Sequence, residues 1–295
     1  MTLARALGSP AETIPRRAGG LAYAMLRRMN GLNRRGQWTR MFCVVLLASA
    51  LAAGGCGSED EKVNEGAGGE DNVVVSAAQS LSSAFETYGE KVTQATPQFN
   101  FAGSDELATQ IRSGAKPDVF ASANTKLPEE LFKQELLEQP VVFASNRLVL
   151  AVPKDSEDVR SLDDLTKDGV TLAIGAKDVP VGSYTRKVLE RLGASAQEKI
   201  LANVRTEEPN VAGIASKLTQ GAVDAGFVYI TDVRSTNGRV EAIELPAELR
   251  PQVAYAAAVV KGARNRAAAQ SFIDGLLGGA GAVALRDAGF EPPAP

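Results

Sequence analysis

The chain has 295 residues, 44% of them hydrophobic and 23% charged, with a mean hydropathy of -0.08. That is enough apolar material for one large domain or two ordinary ones, and it excludes both a polytopic membrane protein and an extended disordered chain. The net charge of -3 conceals an uneven division: residues 1–55 hold eight arginines and one acid, leaving 24 basic and 34 acidic residues, a net -10, in the remainder. A surface of that sign repels nucleic acid and anionic lipid, and the absence of histidine removes the commonest general base and metal ligand.

In chain order, residues 1–55 read as a secretory leader. The arginines precede Phe42-Cys43-Val44-Val45-Leu46-Leu47-Ala48-Ser49-Ala50-Leu51-Ala52-Ala53, an apolar run too short to span a bilayer as a helix but long enough for a signal-peptide core. It ends at Ala53-Gly54-Gly55-Cys56, which resembles a bacterial lipobox, where cleavage precedes a cysteine that carries diacylglycerol. The departure is Ala53, where that pattern prefers leucine; the alternative is a plain signal peptide followed by an accidental cysteine. Cysteine counting favours lipidation of Cys56: Cys43 lies in the leader, so Cys56 is the one thiol of the mature chain and no internal disulfide is possible. The basic stretch is long for a leader, which puts the expected translation start at Met25 or Met29. Residues 56–72 then carry six acids and only Val63 and Ala67 to bury. They are expected to be a disordered tether of roughly 22 Å r.m.s. span.

From Val73 the pattern changes. Val73-Val74-Val75-Ser76-Ala77 is a buried-strand run, and Ser80 to Thr93 reads as a helix with Leu81, Ala84, Phe85, Tyr88 and Val92 on one face. Phe99 to Ala102 is a strand, Gly103 a turn, and Ser104 opens a helix through Leu107 and Ile111. Val119 to Ser122 is a third strand, followed by a helix from Leu127 to Leu131. Later come a strand at 170–174, helices at 184–192 and 210–220, and a strand at 225–230. Such alternation predicts an α/β protein with mostly parallel sheets. Two longer apolar strands, at 147–152 and 253–260, bracket about a hundred residues and divide the fold into two lobes. Lobe 1 is expected at 73–149 and 255–295, closed by helices at 267–277 and 282–286, and lobe 2 at 150–254.

Patterns of catalysis are missing: there is no G-x-S-x-G, P-loop or C-x-x-C, and no histidine for a triad or zinc site. Gly279-Ala280-Gly281-Ala282-Val283-Ala284 matches a dinucleotide fingerprint but follows a helix and leaves too little chain for a βαβ unit, so it reads as helix packing. What stands out are Ser80 and Ser104, each just after a strand and at the head of a helix. There a hydroxyl can cap while free amides and the positive dipole end can hold an anion.

Val73-Val-Val-Ser-Ala-Ala-Gln-Ser80-Leu81-Ser-Ser-Ala-Phe85 resembles the opening strand and helix of the periplasmic molybdate-binding proteins that feed ABC importers. Phe101-Ala-Gly-Ser104-Asp-Glu-Leu107-Ala-Thr-Gln-Ile111 is similar to their second anion loop. The likeness continues through Gly114 to Ala123, Val179-Pro180-Val181-Gly182-Ser-Tyr184, Gly226-Phe-Val-Tyr229 and Arg286-Asp-Ala-Gly289-Phe290. It implies a two-lobed periplasmic-binding-protein fold with the ligand cleft between the lobes. It implies also that the oxyanion is held without a charged partner: by hydroxyl and amide at Ser80 and Ser104, by the amides of Val181 and Val211, and by the Tyr229 phenol. The expected function is an extracytoplasmic, lipid-anchored receptor on the outer face of the cytoplasmic membrane. It would be a monomer that needs no cofactor or further metal, captures molybdate or tungstate, and delivers it to an ABC permease and ATPase. The alternatives are a binding lipoprotein for another oxyanion or small solute, and an exported α/β enzyme.

Overall fold

The computed structural model describes residues 72–293, so the leader, Cys56 and all of the tether except Asn72 lie outside the described residues. In the first half of the chain the strands are β1 (Asn72–Ala78), β2 (Thr96–Ala102), β3 (Val119–Ser122), β4 (Val141–Asn146) and β5 (Leu148–Pro153). They alternate with helices α1 (Ser82–Gly89), α2 (Ser104–Arg112) and α3 (Lys126–Lys133). Next come β6 (Leu172–Gly175), α4 (Pro180–Arg191), α5 (Ala194–Ala202), β7 (Val204–Glu208), α6 (Val211–Thr219), β8 (Ala225–Tyr229), α7 (Ile230–Ser235) and β9 (Val240–Ile243). β10 (Val253–Val259), α8 (Arg266–Gly278) and α9 (Ala280–Ala288) complete the described chain.

Two five-stranded sheets result, ordered β2-β1-β3-β10-β4 and β7-β6-β8-β5-β9. They share one plan. In each, three neighbouring strands run parallel and a fourth, antiparallel strand joins them to an edge strand: β10 between β3 and β4, and β5 between β8 and β9. β1 is an interior strand, with Val73, Val75 and Ala77 fully buried, because a β-branched run covered on both faces needs no alternation. On one face Phe85, Phe99, Phe143 and Phe272 form an aromatic cluster with centroids 5.4–6.1 Å apart. On the other, Leu107, Ile111, Phe120, Leu127, Leu131 and Leu137 make a separate, mainly aliphatic core under α2 and α3. Buried Asp118 ties the first lobe together by accepting from the amides of Val74 (2.8 Å) and Asn265 (3.0 Å). Asp224 does the same in the second, accepting from the amide and hydroxyl of Thr171.

The chain crosses between sheets at Arg147, one residue separating β4 from β5, and returns between β9 and β10. The expected lobe boundaries shift accordingly. Leu148 and Val149 pair with Tyr229 and Val228 in the second sheet, whereas Val253 and Ala254 pair with Asn146 and Ser145 in the first. Arg147 pins this waist by ion pairs to Glu244 (2.5 Å) and Glu291 (3.0 Å). Two helices also differ from expectation. The one expected over 80–93 is a 3-10 turn at Gln79–Leu81 followed by α1, which ends at Gly89 where the backbone packs against Phe99. The one expected from Tyr184 starts four residues earlier, because Pro180 at the first helical position has its φ preset and no N–H to satisfy. The glycine-rich 279–284 segment lies at the α8–α9 junction, with Gly281 close against the Gly275 carbonyl.

Candidate functional site

Strand register sets up the site. Ala78 at the end of β1 is level with Ala102 at the end of β2, so Ser80 and Ser104, each two residues further on, leave the sheet side by side. In the second lobe β6 and β7 are also parallel neighbours, and they lead into α4 and α6 in the same sense. The carboxyl ends of both sheets therefore converge, the usual location for ligands in open α/β sheets. A cavity of about 20 Å³ lies between them, lined by Gln79, Ser80, Gly103, Ser104, Ala123, Pro180, Val181, Asn210, Val211 and Tyr229 among others. All five residues expected to hold an oxyanion are in this wall, and no charged side chain is.

The helix starts leave amides free. α2 begins after Gly103 and α4 after Val179 with no side-chain cap on either. α6 is capped by Asn210, but its side-chain oxygen accepts from Gly213 (3.2 Å), two residues beyond Val211. The first-turn amides of Ser104, Val181 and Val211 therefore have no partner within their helices. Val181 and Val211 belong to the hydrophobic core, at 2% and 4% exposure, so the only polar groups they bring to the cavity are those of the main chain. Gly182 lets α4 sit this close: a side chain there would drive into the carbonyls of Gly175 and Ala176 at the end of β6.

Of the three hydroxyls, that of Ser104 is oriented by the bond it already accepts. Ser104 Oγ receives the Ala123 amide (3.1 Å), which leaves its proton to donate elsewhere. Ser80 Oγ is 2.9 Å from the Tyr255 hydroxyl. The Tyr229 hydroxyl is buried and has no hydrogen-bond partner. Burial pushes its phenol well above the ordinary value, with further contributions from Tyr255, Tyr184 and Asp232, so it remains a proton donor throughout the physiological range. Asp232 braces this corner by accepting the Tyr229 amide (3.0 Å), and burial raises its carboxyl to about 7. An unpaired buried donor facing a cavity is an open demand for an acceptor.

The chemistry of the wall is thus one-sided. Helix-start amides and three hydroxyls line it, and of the wall's two side-chain carbonyls, those of Gln79 and Asn210, the second is occupied by Gly213. Such a lining fits a small, fully ionised anion. The cavity exceeds the about 10–15 Å³ that one water requires and is far below the several hundred Å³ of an organic-ligand pocket.

The sequence pattern of bacterial extracellular solute-binding proteins matches residues 72–291. The chain belongs to this family. Within it, the molybdate-binding protein ModA of Mycobacterium tuberculosis is 36% identical over 259 residues, covering 84% of this chain and 97% of the relative. ModA of Escherichia coli is 27% identical over 266 residues, covering 86% and 98%. The solved periplasmic molybdate-binding protein of Azotobacter vinelandii superposes with a TM-score of 0.68 at 22% identity, covering 75% of this chain and 100% of its own, which establishes the shared two-lobed fold. All three are molybdate-binding proteins, and that of Azotobacter is periplasmic.

Sequence reasoning missed several residues of this cleft. Gly103 was read as a turn, yet a Cβ there would meet the Pro209 carbonyl at 2.6 Å across the cleft, so it is a point of contact between lobes. The Ala123 amide and the Asn210 cap carry only weak local signals. Tyr255 and Asn146, beneath Ser80, carry none, because their role depends on strands 109 residues apart.

Proposed function

We propose that this protein captures molybdate, with tungstate as a second cargo, and delivers it to an ABC permease and its ATPase. The observation that carries the reading is a wall rich in donors: three hydroxyls and four main-chain amides around a small cavity with no charged side chain. A tetrahedral dianion satisfies every donor at once. A ligand that keeps a proton, such as hydrogen phosphate, would press an O–H against donors and leave it unpaired, a loss of the kind that gives large discrimination. Fixed donors on rigid helix starts also select by size, which favours molybdate and tungstate over the smaller sulfate. Ser80, Ser104 and Tyr229 donate through hydroxyls, and Ser80, Ser104, Val181 and Val211 through amides. No cofactor is needed, and the protein is a binding protein without catalytic turnover.

The same reading places the mature chain outside the cytoplasm as a monomer, held to the outer face of the cytoplasmic membrane by lipid on Cys56, with the acidic tether between anchor and receptor. A thermal-shift series tests the ligand assignment. Micromolar molybdate and tungstate should raise the melting temperature, with much smaller shifts from sulfate and phosphate. An equal response to sulfate would remove the selectivity, and a response only to some other solute would replace molybdate as cargo.

A further inference from the structure

The hydrogen bonds beneath Ser80 form a chain whose direction can be worked out. The Arg147 amide donates to Asn146 Oδ1 (2.8 Å), and a backbone N–H can only donate, so the orientation of the Asn146 amide is fixed. Its Nδ2 therefore carries the protons, donating to Thr231 Oγ1 (2.9 Å) and, at longer range, to the Tyr255 hydroxyl (3.4 Å). Tyr255 is fully buried, and its remaining neighbour is Ser80 Oγ at 2.9 Å. The tyrosine proton can be satisfied only by going to Ser80, and the proton of Ser80 is then free to point into the cavity.

We propose that Tyr255 is a positioning residue for the bound oxyanion, aiming the Ser80 proton at it, and that Asn146 sets the direction of this chain from the waist between the lobes. The proposal rests on the reading of the cavity as an oxyanion site and deepens it. Asn146 closes β4 in the first lobe, and Thr231 belongs to α7 in the second, so the same amide that orients the chain also bonds across the waist. Ser104 reaches the same polarity by a different device, its Oγ accepting a main-chain amide. Ser80 has no such amide and depends on Tyr255. Without the tyrosine hydroxyl, Ser80 Oγ would regain a free lone pair and could accept from a protonated ligand, so the wall would gain an acceptor at this point.

The test is a double-mutant cycle read by calorimetric titration with sodium molybdate on the wild type, Ser80→Ala, Tyr255→Phe and the double variant. Tyr255→Phe keeps the ring packed against Tyr229, Phe143 and Phe290. It should weaken molybdate about tenfold, the scale of a charge-assisted hydrogen bond misdirected. In the Ser80→Ala background the same change should be nearly silent, within about twofold. Tyr255→Phe should also narrow the preference for molybdate over hydrogen phosphate, which general loosening of the fold would not do. A Tyr255→Phe loss that persists undiminished in the Ser80→Ala background overturns the proposal, as does an unchanged affinity in Tyr255→Phe alone. If Ser80→Ala itself binds like the wild type, the serine is no anion donor, and the underlying reading of the cavity falls together with the proposal. Should Tyr255→Phe not fold, Asn146→Asp carries the cycle. Its carboxylate still accepts the Arg147 amide but takes the tyrosine proton, so a loss suppressed by Ser80→Ala supports the chain and an additive loss overturns it.

Discussion

Three hydroxyls decide what this cavity can hold. Ser104 accepts from the Ala123 amide, Ser80 shares a hydrogen bond with Tyr255 in which the proposal makes it the acceptor, and Tyr229 makes none. All three have a proton to give and no acceptor for it among the protein's own groups. Tyr229→Phe therefore removes a group that does nothing for the unliganded fold. Its unliganded melting temperature should be equal to or above that of the wild type, while molybdate affinity falls about tenfold to a hundredfold, the range for a hydrogen bond to a charged group. Calorimetry beside a melting curve checks both halves. A destabilised variant with intact affinity would show that the phenol serves the core. Ser80 and Ser104 were legible in the sequence because a serine between a strand and a helix is a local pattern. The polarity of Ser80 was not, since it is set by Tyr255 and Asn146, residues that only the folded sheet brings near.

Helix starts, held hard against strand ends, supply the rest of the site. Strong elements such as β1, β8 and β10 were readable as apolar runs, and α2 and α6 from their serine and asparagine starts. The short edge strands were not. β7 reads Val-Arg-Thr-Glu-Glu with alternating exposure, and β9 is only four residues long, so both look like loops until a neighbour supplies hydrogen bonds. At this scale Gly182 is the critical residue, because a Cβ there would strike the backbone of Gly175 and Ala176. Gly182→Ala should push the start of α4 off β6. The expected result is about 1–3 kcal/mol of lost stability, typical of overpacking, together with weaker molybdate binding as the Val181 amide leaves its place. Denaturant melts and titration of the same preparation measure the two effects, and an unperturbed titration would show that the α4 amide is not part of the site.

At the scale of the molecule, two similar lobes meet at a narrow waist and touch across the cleft where Gly103 faces the Pro209 carbonyl. Binding proteins of this build close by hinge motion around the ligand. A methyl group at Gly103 would overlap the Pro209 carbonyl with the lobes as they stand here, and a hinge opening would relieve it. Gly103→Ala should accordingly leave the unliganded melting temperature almost unchanged and lower molybdate affinity by about tenfold or more. Small-angle scattering should show less compaction on adding ligand than in the wild type, and full compaction with unchanged affinity would refute the steric stop.

The overall charge of -3 divides into a cationic stretch over residues 1–55 and a remainder near -10. A receptor of that sign captures an anion against its own field, so specificity has to come from the local ring of donors. Equilibrium dialysis of the purified protein against molybdate, with sulfate and phosphate as competitors, tests this most directly. The account predicts one molybdate per chain, retained in about a hundredfold excess of either competitor. No retained molybdate, or its displacement by phosphate at comparable concentration, would contradict it.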